Sequence, residues 1–251
     1  MARAERPAGF TEFSIEGTRV VCAPHVAAAM RDVLARGTLY DYAARHPETR
    51  ALAGRGTAYA APLPDDADHV VVRHNRHGGL LAPLTGDVFL APTRAPLELA
   101  TTERLRAAGV PVPVFLGFVT YPVWSGFARA DVMTREVPQA FDLSAALMSD
   151  DSRARAEALT AAAVVIAALA RAGGFHEDLN IKNVLLHRAG GHLDAVLLDV
   201  DRVRFPDHFP HLARNLARFR RSALKWRTRH GARVTYAELD AFERAARSAS
   251  S

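Results

Sequence analysis

The chain has 251 residues, 49% apolar and 24% charged, enough to bury a core and outside the disordered and fibrous classes. A single cysteine, Cys22, excludes an internal disulfide, and no apolar run is long enough to span a bilayer, the longest being Ala161 to Ala170. The net charge of +5 is local: His211 to Arg233 holds eight Arg or Lys and no acid, leaving the remainder at about −3.

In chain order, Val26 to Arg36 and Tyr40 to Arg45 read as short helices. A glycine-punctuated stretch from Ala51 to Ala60 and a turn-rich segment from Pro62 to Asp68 precede the β-branched run His69 to Arg73, together a hairpin and a third antiparallel strand. Pro96 to Ala108 fits a helix stopped by Gly109 and Pro111. Val112 to Phe118 and Arg129 to Arg135 read as strands, Phe141 to Met148 as a short helix, and Ser152 to Arg171 as a long helix closed by Gly173 and Gly174. Two apolar strands follow, Val184 to His187 and Ala195 to Val200, and helices dominate from Pro210. Strands thus gather in the first half and helices in the second. This is an α+β protein with two lobes and a cleft, divided as 1–136 and 137–251.

The stretch from Gly174 to Leu186 carries the chemistry. Asp178 and Asn183 stand five apart in a loop after the long helix, and Asp199 ends an apolar strand 21 residues after Asp178. Phosphoryl transfer needs a carboxylate at the attacking hydroxyl and hard oxygen ligands that hold Mg²⁺ against the ATP phosphates. Asp178 suits the first task, Asn183 and Asp199 the second. His176 reads as a support for the loop. Asp201 reads as a second metal ligand or as a partner of Arg202 or Arg204. Asn180 and Lys182 lie toward the acceptor, where Lys182 either touches the transferring phosphate or is a solvated loop lysine.

The first half then takes the nucleotide. Gly54 and Gly56 let backbone approach phosphate. A kinase strand here offers a lysine to the phosphates, but lysine occurs only at 182 and 225. Arg73 is the substitute, since its guanidinium is a permanent multi-donor cation. Glu98 would aim it, with Glu103 the competitor. Met133 to Val137 would form the hinge, where backbone groups at Glu136 and Val137 read adenine.

Several segments resemble the lipopolysaccharide core kinases, specifically the 3-deoxy-D-manno-octulosonic acid (Kdo) kinases. They are Gly54, Gly56, Thr57 and Tyr59; Val72, Arg73, His74, Arg76, Gly78, Gly79 and Leu80; Leu105 to Pro113; His176, Asp178, Leu179, Asn180, Asn183, Leu185 and Leu186; Leu198 to Arg202; and Asn215, Leu216, Ala217, Arg218, Arg221 and Ser222. The Asp178 segment is shared with other small-molecule kinases; the Arg73 and Asn215 segments narrow the choice. Asn75 and His77 stand where an aromatic and a further basic residue are expected, and the first fifty residues are not matched. The resemblance implies a bilobal protein-kinase-like fold with an antiparallel-sheet N-lobe and a helical C-lobe. It implies ATP- and Mg²⁺-dependent phosphorylation of a Kdo hydroxyl on a lipid A precursor, at the cytoplasmic face of the inner membrane. By the motif match Asp178 is the base, Asn183 and Asp199 hold Mg²⁺, and Arg73 faces the phosphates.

Leu212, Leu216, Phe219, Ala223 and Trp226 form one helical stripe with basic residues around it. A basic helix over 211–233 suits a phosphorylated lipid acceptor and an anionic bilayer, and equally suits a core-packing helix with a solvated face. Two other readings stand beside the first: a small-molecule or antibiotic kinase of the same fold, and an inactive kinase-fold adaptor for anionic membrane or nucleic acid. The basic C-terminus argues against the former. The intact Asp178, Asn183 and Asp199 argue against the latter, so no nucleic-acid partner is expected.

Overall fold

A computed structural model describes residues 9–52, 57–64, 69–74, 89–90 (backbone only), 93–124 and 126–250. Gly54, Gly56, Arg76, Gly78 and Gly79 lie outside the described residues. The chain forms two compact units, one from Met1–Ala100 with Val114–Glu136, the other from Thr101–Pro113 with Val137–Ser251.

The first unit is built on an antiparallel sheet. Its strands are β1 (Thr11–Ile15), β2 (Thr18–Cys22), β3 (Arg50–Leu52), β4 (Ala58–Pro62), β5 (His69–His74), β6 (Phe89–Leu90), β7 (Phe115–Trp124) and β8 (Phe127–Arg135). The order is β1-β2-β7-β8-β5-β4-β3, with β6 also on β8. The β1–β2 hairpin was not foreseen from the sequence. Its two-residue turn holds Glu16 and Gly17 at φ 47° and 82°, the left-handed pair that matches the twist of a tight hairpin.

Strand β7 starts at Phe115 and runs to Trp124, later than expected at both ends. Its ladder with β2 stops at Thr120, so the missing N–H of Pro122 breaks no bond there. Gly117, opposite Cys22, has no room for a side chain: a Cβ would sit 2.8 Å from the Val21 carbonyl oxygen.

Helices α1 (Ala27–Leu34) and α2 (Leu39–Arg45) pack Met30, Val33, Leu39 and Ala43 against Val70, Val72, Leu116 and Met133. A second cluster joins Phe10, Val21, Phe115, Phe118, Ala130 and Val132 to Ala95 and Leu99 of α3 (Ala95–Ala107). Alternate residues of β8 therefore serve different clusters, the period-two signature of a sheet buried on both faces. On the α1–α2 side lies one fully buried acid, Asp131. It accepts hydrogen bonds from the Tyr121 hydroxyl (2.9 Å) and the Tyr40 backbone N–H (3.0 Å), and bonds His74 through Nδ1. The Tyr121 hydroxyl accepts in turn from the Leu39 N–H at 2.8 Å. Burial first, then the Asp131 carboxylate, push the Tyr121 phenol well above its ordinary pKa.

The division at 1–136 and 137–251 read from the sequence needs one change. Residues 101–113 cluster with the second unit, because Leu105 and Val110 enter its core. That unit carries α4 (Leu143–Ala146), α5 (Ser152–Arg171), α6 (His211–His230), α7 (Tyr236–Ser250) and short strands β9 (Phe141–Asp142), β10 (Phe175–His176), β11 (Val184–Ala189), β12 (His192–Leu197) and β13 (Val203–Arg204). Phe141 and Asp142, expected as the start of a helix, instead pair with Leu186 and Leu185 of β11. The Ala-rich α5 is capped by Asp151, which accepts from the Arg153 N–H at 2.8 Å. Its buried face (Leu159, Ile166, Leu169) joins Leu186, Leu197, Phe219 and Phe242 in one core. Phe219 of α6 stacks on Phe242 of α7 with centroids 4.5 Å apart.

Between Ser149 and α7 runs a buried polar tie. Arg155, 6% exposed, donates to the carbonyls of Ser149 and Asp150 and pairs with Glu238 at 2.9 Å. Glu238 also closes a capping box with Thr235, accepting from its N–H at 2.7 Å while its own N–H donates to the Thr235 hydroxyl at 3.1 Å. Burial raises the Glu238 pKa, but those hydrogen bonds and the Arg155 charge outweigh it and hold the carboxyl below its ordinary value. No helix among the described residues is long and apolar enough to cross a membrane.

Candidate active site

The loop after α5 is fixed from its first residue. The Gly174 N–H donates to the Leu169 carbonyl (2.9 Å) and that of Gly173 to Ala170 (3.0 Å). With Gly173 at φ 72°, this is a Schellman closure, which turns the chain sharply out of the helix. A Cβ on Gly174 would lie 2.3 Å from Leu169 Cδ1. The chain enters β10, paired with β13, and Asn215 of α6 clamps it. The wholly buried Asn215 amide donates to the Gly174 carbonyl at 2.9 Å and accepts from the His176 N–H at 3.1 Å.

His176 is fully buried. Its Nδ1 accepts from the Asp178 N–H, and its Nε2 faces the Leu198 carbonyl, each at 3.2 Å. The backbone N–H can only donate and the carbonyl only accept, so the ring proton sits on Nε2. Burial holds its pKa below the ordinary value, against the opposing pull of Leu198, Asp199, Asp178 and Asp201. A neutral, doubly anchored imidazole positions the loop and is no proton carrier.

Two side-chain amides converge on the Asp178 carbonyl, from Asn180 at 2.8 Å and from Asn183 at 3.0 Å. Asn180 also accepts from the Lys182 N–H at 2.9 Å, an Asx turn that starts a 3-10 turn over Ile181–Asn183. The Ile181 N–H donates to Ser222 Oγ on α6 at 3.2 Å, and the Leu198 N–H to the Asn183 carbonyl at 2.8 Å. His176 and Asn183 thereby tie the Asp178 loop to the segment leading into Asp199. The exposed Lys182 places Nζ 5.5 Å from the Trp226 ring centroid.

Asp199 lies two residues beyond the end of β12 rather than at a strand end. It is exposed and left-handed at φ 54°, ψ 42°, a conformation Asp tolerates better than most residues. Asp201 is 3.9 Å from Arg202 Nε, and its carbonyl accepts from Arg204 at 3.0 Å.

In the first unit Arg73 pairs with Glu98, which is 3% exposed on α3. Glu103 instead faces Arg106 at 3.9 Å, which settles the choice between the two acids. At Glu136 the N–H donates to the His69 carbonyl (2.9 Å) and the carboxylate pairs with Arg50. The sequence reading gave no role to Asn215, Ser222 or Asp131. The first two stand inside the Asn215–Ser222 motif, which was the signal available. Asp131 carried none.

The donor set can be tested against Mg²⁺. Among the described residues no three His, Cys, Asp or Glu side chains cluster, so a zinc-like cage is not built there. Asn183 gives its amide nitrogen to Asp178, and its Oδ1 accepts no hydrogen bond among the described residues. With the Asp199 carboxylate this makes two hard oxygen donors, which fits an ion that retains waters and takes phosphate oxygens.

A sheet-based first unit and a helical second unit with this loop define a protein-kinase-like fold. Residues 45–244 match the lipopolysaccharide kinase (Kdo/WaaP) family, and the chain belongs to that family. It is 33% identical over 171 residues to the 3-deoxy-D-manno-octulosonic acid kinase of Actinobacillus succinogenes, covering 66% of this chain and 70% of that protein. To the protein of the same name from Xylella fastidiosa (strain 9a5c) it is 30% identical over 200 residues, 76% of each. Among solved structures it matches WaaP in complex with acyl carrier protein, with a TM-score of 0.56 at 17% identity over 87% of this chain and 86% of that one. The chain is thus a phosphotransferase acting on a hydroxyl.

Proposed function

We propose that this enzyme transfers the γ-phosphoryl group of ATP to a hydroxyl of a Kdo residue on a lipid A precursor. The observation that carries the reading is the Asp178 loop: a carboxylate-bearing residue whose carbonyl is gripped by Asn183, on a turn locked by neutral His176, inside a chain of the Kdo/WaaP family. Asp178 accepts the proton of the attacking hydroxyl as its oxygen bonds the γ-phosphorus and the bond from that phosphorus to the β–γ bridging oxygen breaks, releasing ADP. Lys182, four residues on in the same loop, steadies charge on the transferring phosphate. Asn183 and Asp199 would hold Mg²⁺, which when bound neutralises the phosphate charge. In the first unit Arg73, oriented by Glu98, takes the nucleotide phosphates, with Gly54 and Gly56 as backbone donors and Glu136 and Val137 toward adenine.

The acceptor being lipid-linked, the enzyme works as a peripheral protein at the cytoplasmic face of the inner membrane. The basic segment 211–233 favours that anionic surface by about 1 kcal/mol per charge. The test is transfer of labelled γ-phosphate from Mg-ATP to Kdo-capped lipid A precursor, with Asp178→Ala as the blank. Label in the lipid that vanishes in the blank is expected. ATP binding without transfer would move the acceptor to another sugar; no ATP binding would end the kinase assignment.

A further inference from the structure

Helix α6 carries cations of two kinds. Arg220 is neutralised, donating to Asp240 at 2.8 Å and to Glu243 at 3.0 Å. Arg214, Arg218, Arg221, Lys225 and Arg229 are not: none has an ion pair with an acid among the described residues. Arg214 and Arg218 only approach the Phe209 and Phe175 rings, at 5.9 and 5.4 Å. At 100° per residue these five fall within an arc of about 80° and a length of about 22 Å. They lie opposite the face that buries Asn215, Leu216, Phe219 and Ala223.

The arrangement works against the helix itself. Like charges at i,i+4 repel, and cations in the first turns oppose the macrodipole; Arg214 sits there, with no acid in the first turn and no side-chain cap. Only Arg229, in the last turn, is favoured by the macrodipole; an anionic ligand would relieve the repulsion among the others.

Two observations say which ligand. Ser222, at the edge of the stripe between Arg221 and Lys225, accepts from the Ile181 N–H of the Asp178 loop. Lys182 of the same loop stands over Trp226. The stripe therefore borders the loop that handles the acceptor. An inserting amphipathic helix shows large apolar side chains among its cations, whereas none of the exposed large hydrophobic residues lies on α6. The face suits phosphates held at the surface and not burial in acyl chains.

We infer that Arg214, Arg218, Arg221, Lys225 and Arg229 form a binding site for the phosphate groups of the enzyme's own acceptor, placing its sugar at the Asp178 loop. This rests on the lipid-linked acceptor reading above and goes further, by making the acceptor's phosphates a specificity element.

The experiment measures binding of micellar, diphosphorylated Kdo-lipid A precursor and of its enzymatically dephosphorylated counterpart, followed by acceptor KM, kcat and ATP KM. The five stripe residues are changed to Gln together, and Arg220→Gln is the control. Four of the five are exposed, Arg218 is half-buried near the Phe175 ring, and none has an ion pair among the described residues, so the variant should stay close to the wild-type melting temperature, while Arg220→Gln lowers it. A single Arg221→Gln, Lys225→Gln pair stands in should the fivefold variant not fold.

We expect at least about thirtyfold weaker binding of the phosphorylated lipid in the variant, from the strength of charge-assisted contacts. Acceptor KM should rise with kcat and ATP KM held, and the dephosphorylated lipid should discriminate neither protein. Equal binding by variant and wild type would overturn the inference. So would loss of adhesion to phosphatidylglycerol vesicles with micellar binding unchanged, which would assign the stripe to the bilayer. Phosphate-dependent binding without any transfer would keep the stripe as a phosphate site and defeat the Kdo kinase reading instead.

Discussion

The side-chain amide of Asn183 donates to the backbone carbonyl of Asp178 across 3.0 Å. One residue thus fixes the backbone of the proposed base and would offer an oxygen to the proposed Mg²⁺. Asn183→Asp separates the two roles, because it keeps the oxygen and removes the donor. Steady-state kinetics should show ATP KM within a few-fold of wild type and kcat down by about 10²-fold. An unchanged kcat would mean that the hydrogen bond does not position Asp178.

Asp178→Ala should cut kcat by about 10²–10⁴-fold, the usual worth of positioned proton transfer. Nucleotide affinity should change little, which equilibrium binding of ATP would check. A variant retaining most of its rate would remove Asp178 from the base role.

Arg73→Ala should raise ATP KM by at least about tenfold, since a hydrogen bond to a charged group is worth about 1.5–3 kcal/mol. Glu98→Gln keeps the shape at a 3% exposed position but loses the charge that aims Arg73. It should show the same change more weakly, read as the ratio of the two KM values.

His176 gives the fold a pH dependence. Its folded pKa lies below the ordinary 6.5 because the ring is buried. Below about pH 6.5 the unfolded chain therefore binds more protons than the folded one, and stability rises with pH through that window. The His contribution is fully present above 6.5 and is lost as pH falls, with a slope of at most about 1.4 kcal/mol per pH unit. Urea unfolding between pH 5 and pH 7 should show this slope, and His176→Gln should flatten it.

Arg155 is buried and its partner Glu238 half-buried, 2.9 Å apart. Removing one leaves the other uncompensated, so Glu238→Ala should cost about 3 kcal/mol and also opens the capping box at α7. The urea midpoint should fall with an unchanged m-value, while ATP KM stays put.

The sequence exposed what is local. Helix α5 was legible to the residue, with Gly173 and Gly174 marking its close. The Asp178–Asn183 spacing was legible because one short loop carries it. What escaped depends on distant residues. Phe141 and Asp142 look helical alone and extend only because β11 is there to pair with them. The β1 strand is half exposed and carries Thr11, Glu12 and Ser14, which dilute the alternation that would announce it. Asp199 was expected at a strand end, but the strand stops at Leu197. Beyond it Leu198 is held by His176 and Asn183, partners from a loop that periodicity does not see.

The buried Asp131 also bears on how the first unit assembles. Its partners lie 10, 57 and 91 residues away along the chain. The Tyr121 bond needs only the β7–β8 hairpin, but those of His74 and Tyr40 wait until β5 and α2 have joined it, so closure entropy comes before most of the reward. A one-residue slip of β5 against β8 would turn His74 to the other face and strand the acid. The carboxylate thus acts as a proofreader of strand alignment, and Arg73, next to His74, reaches its place only in the correctly aligned sheet.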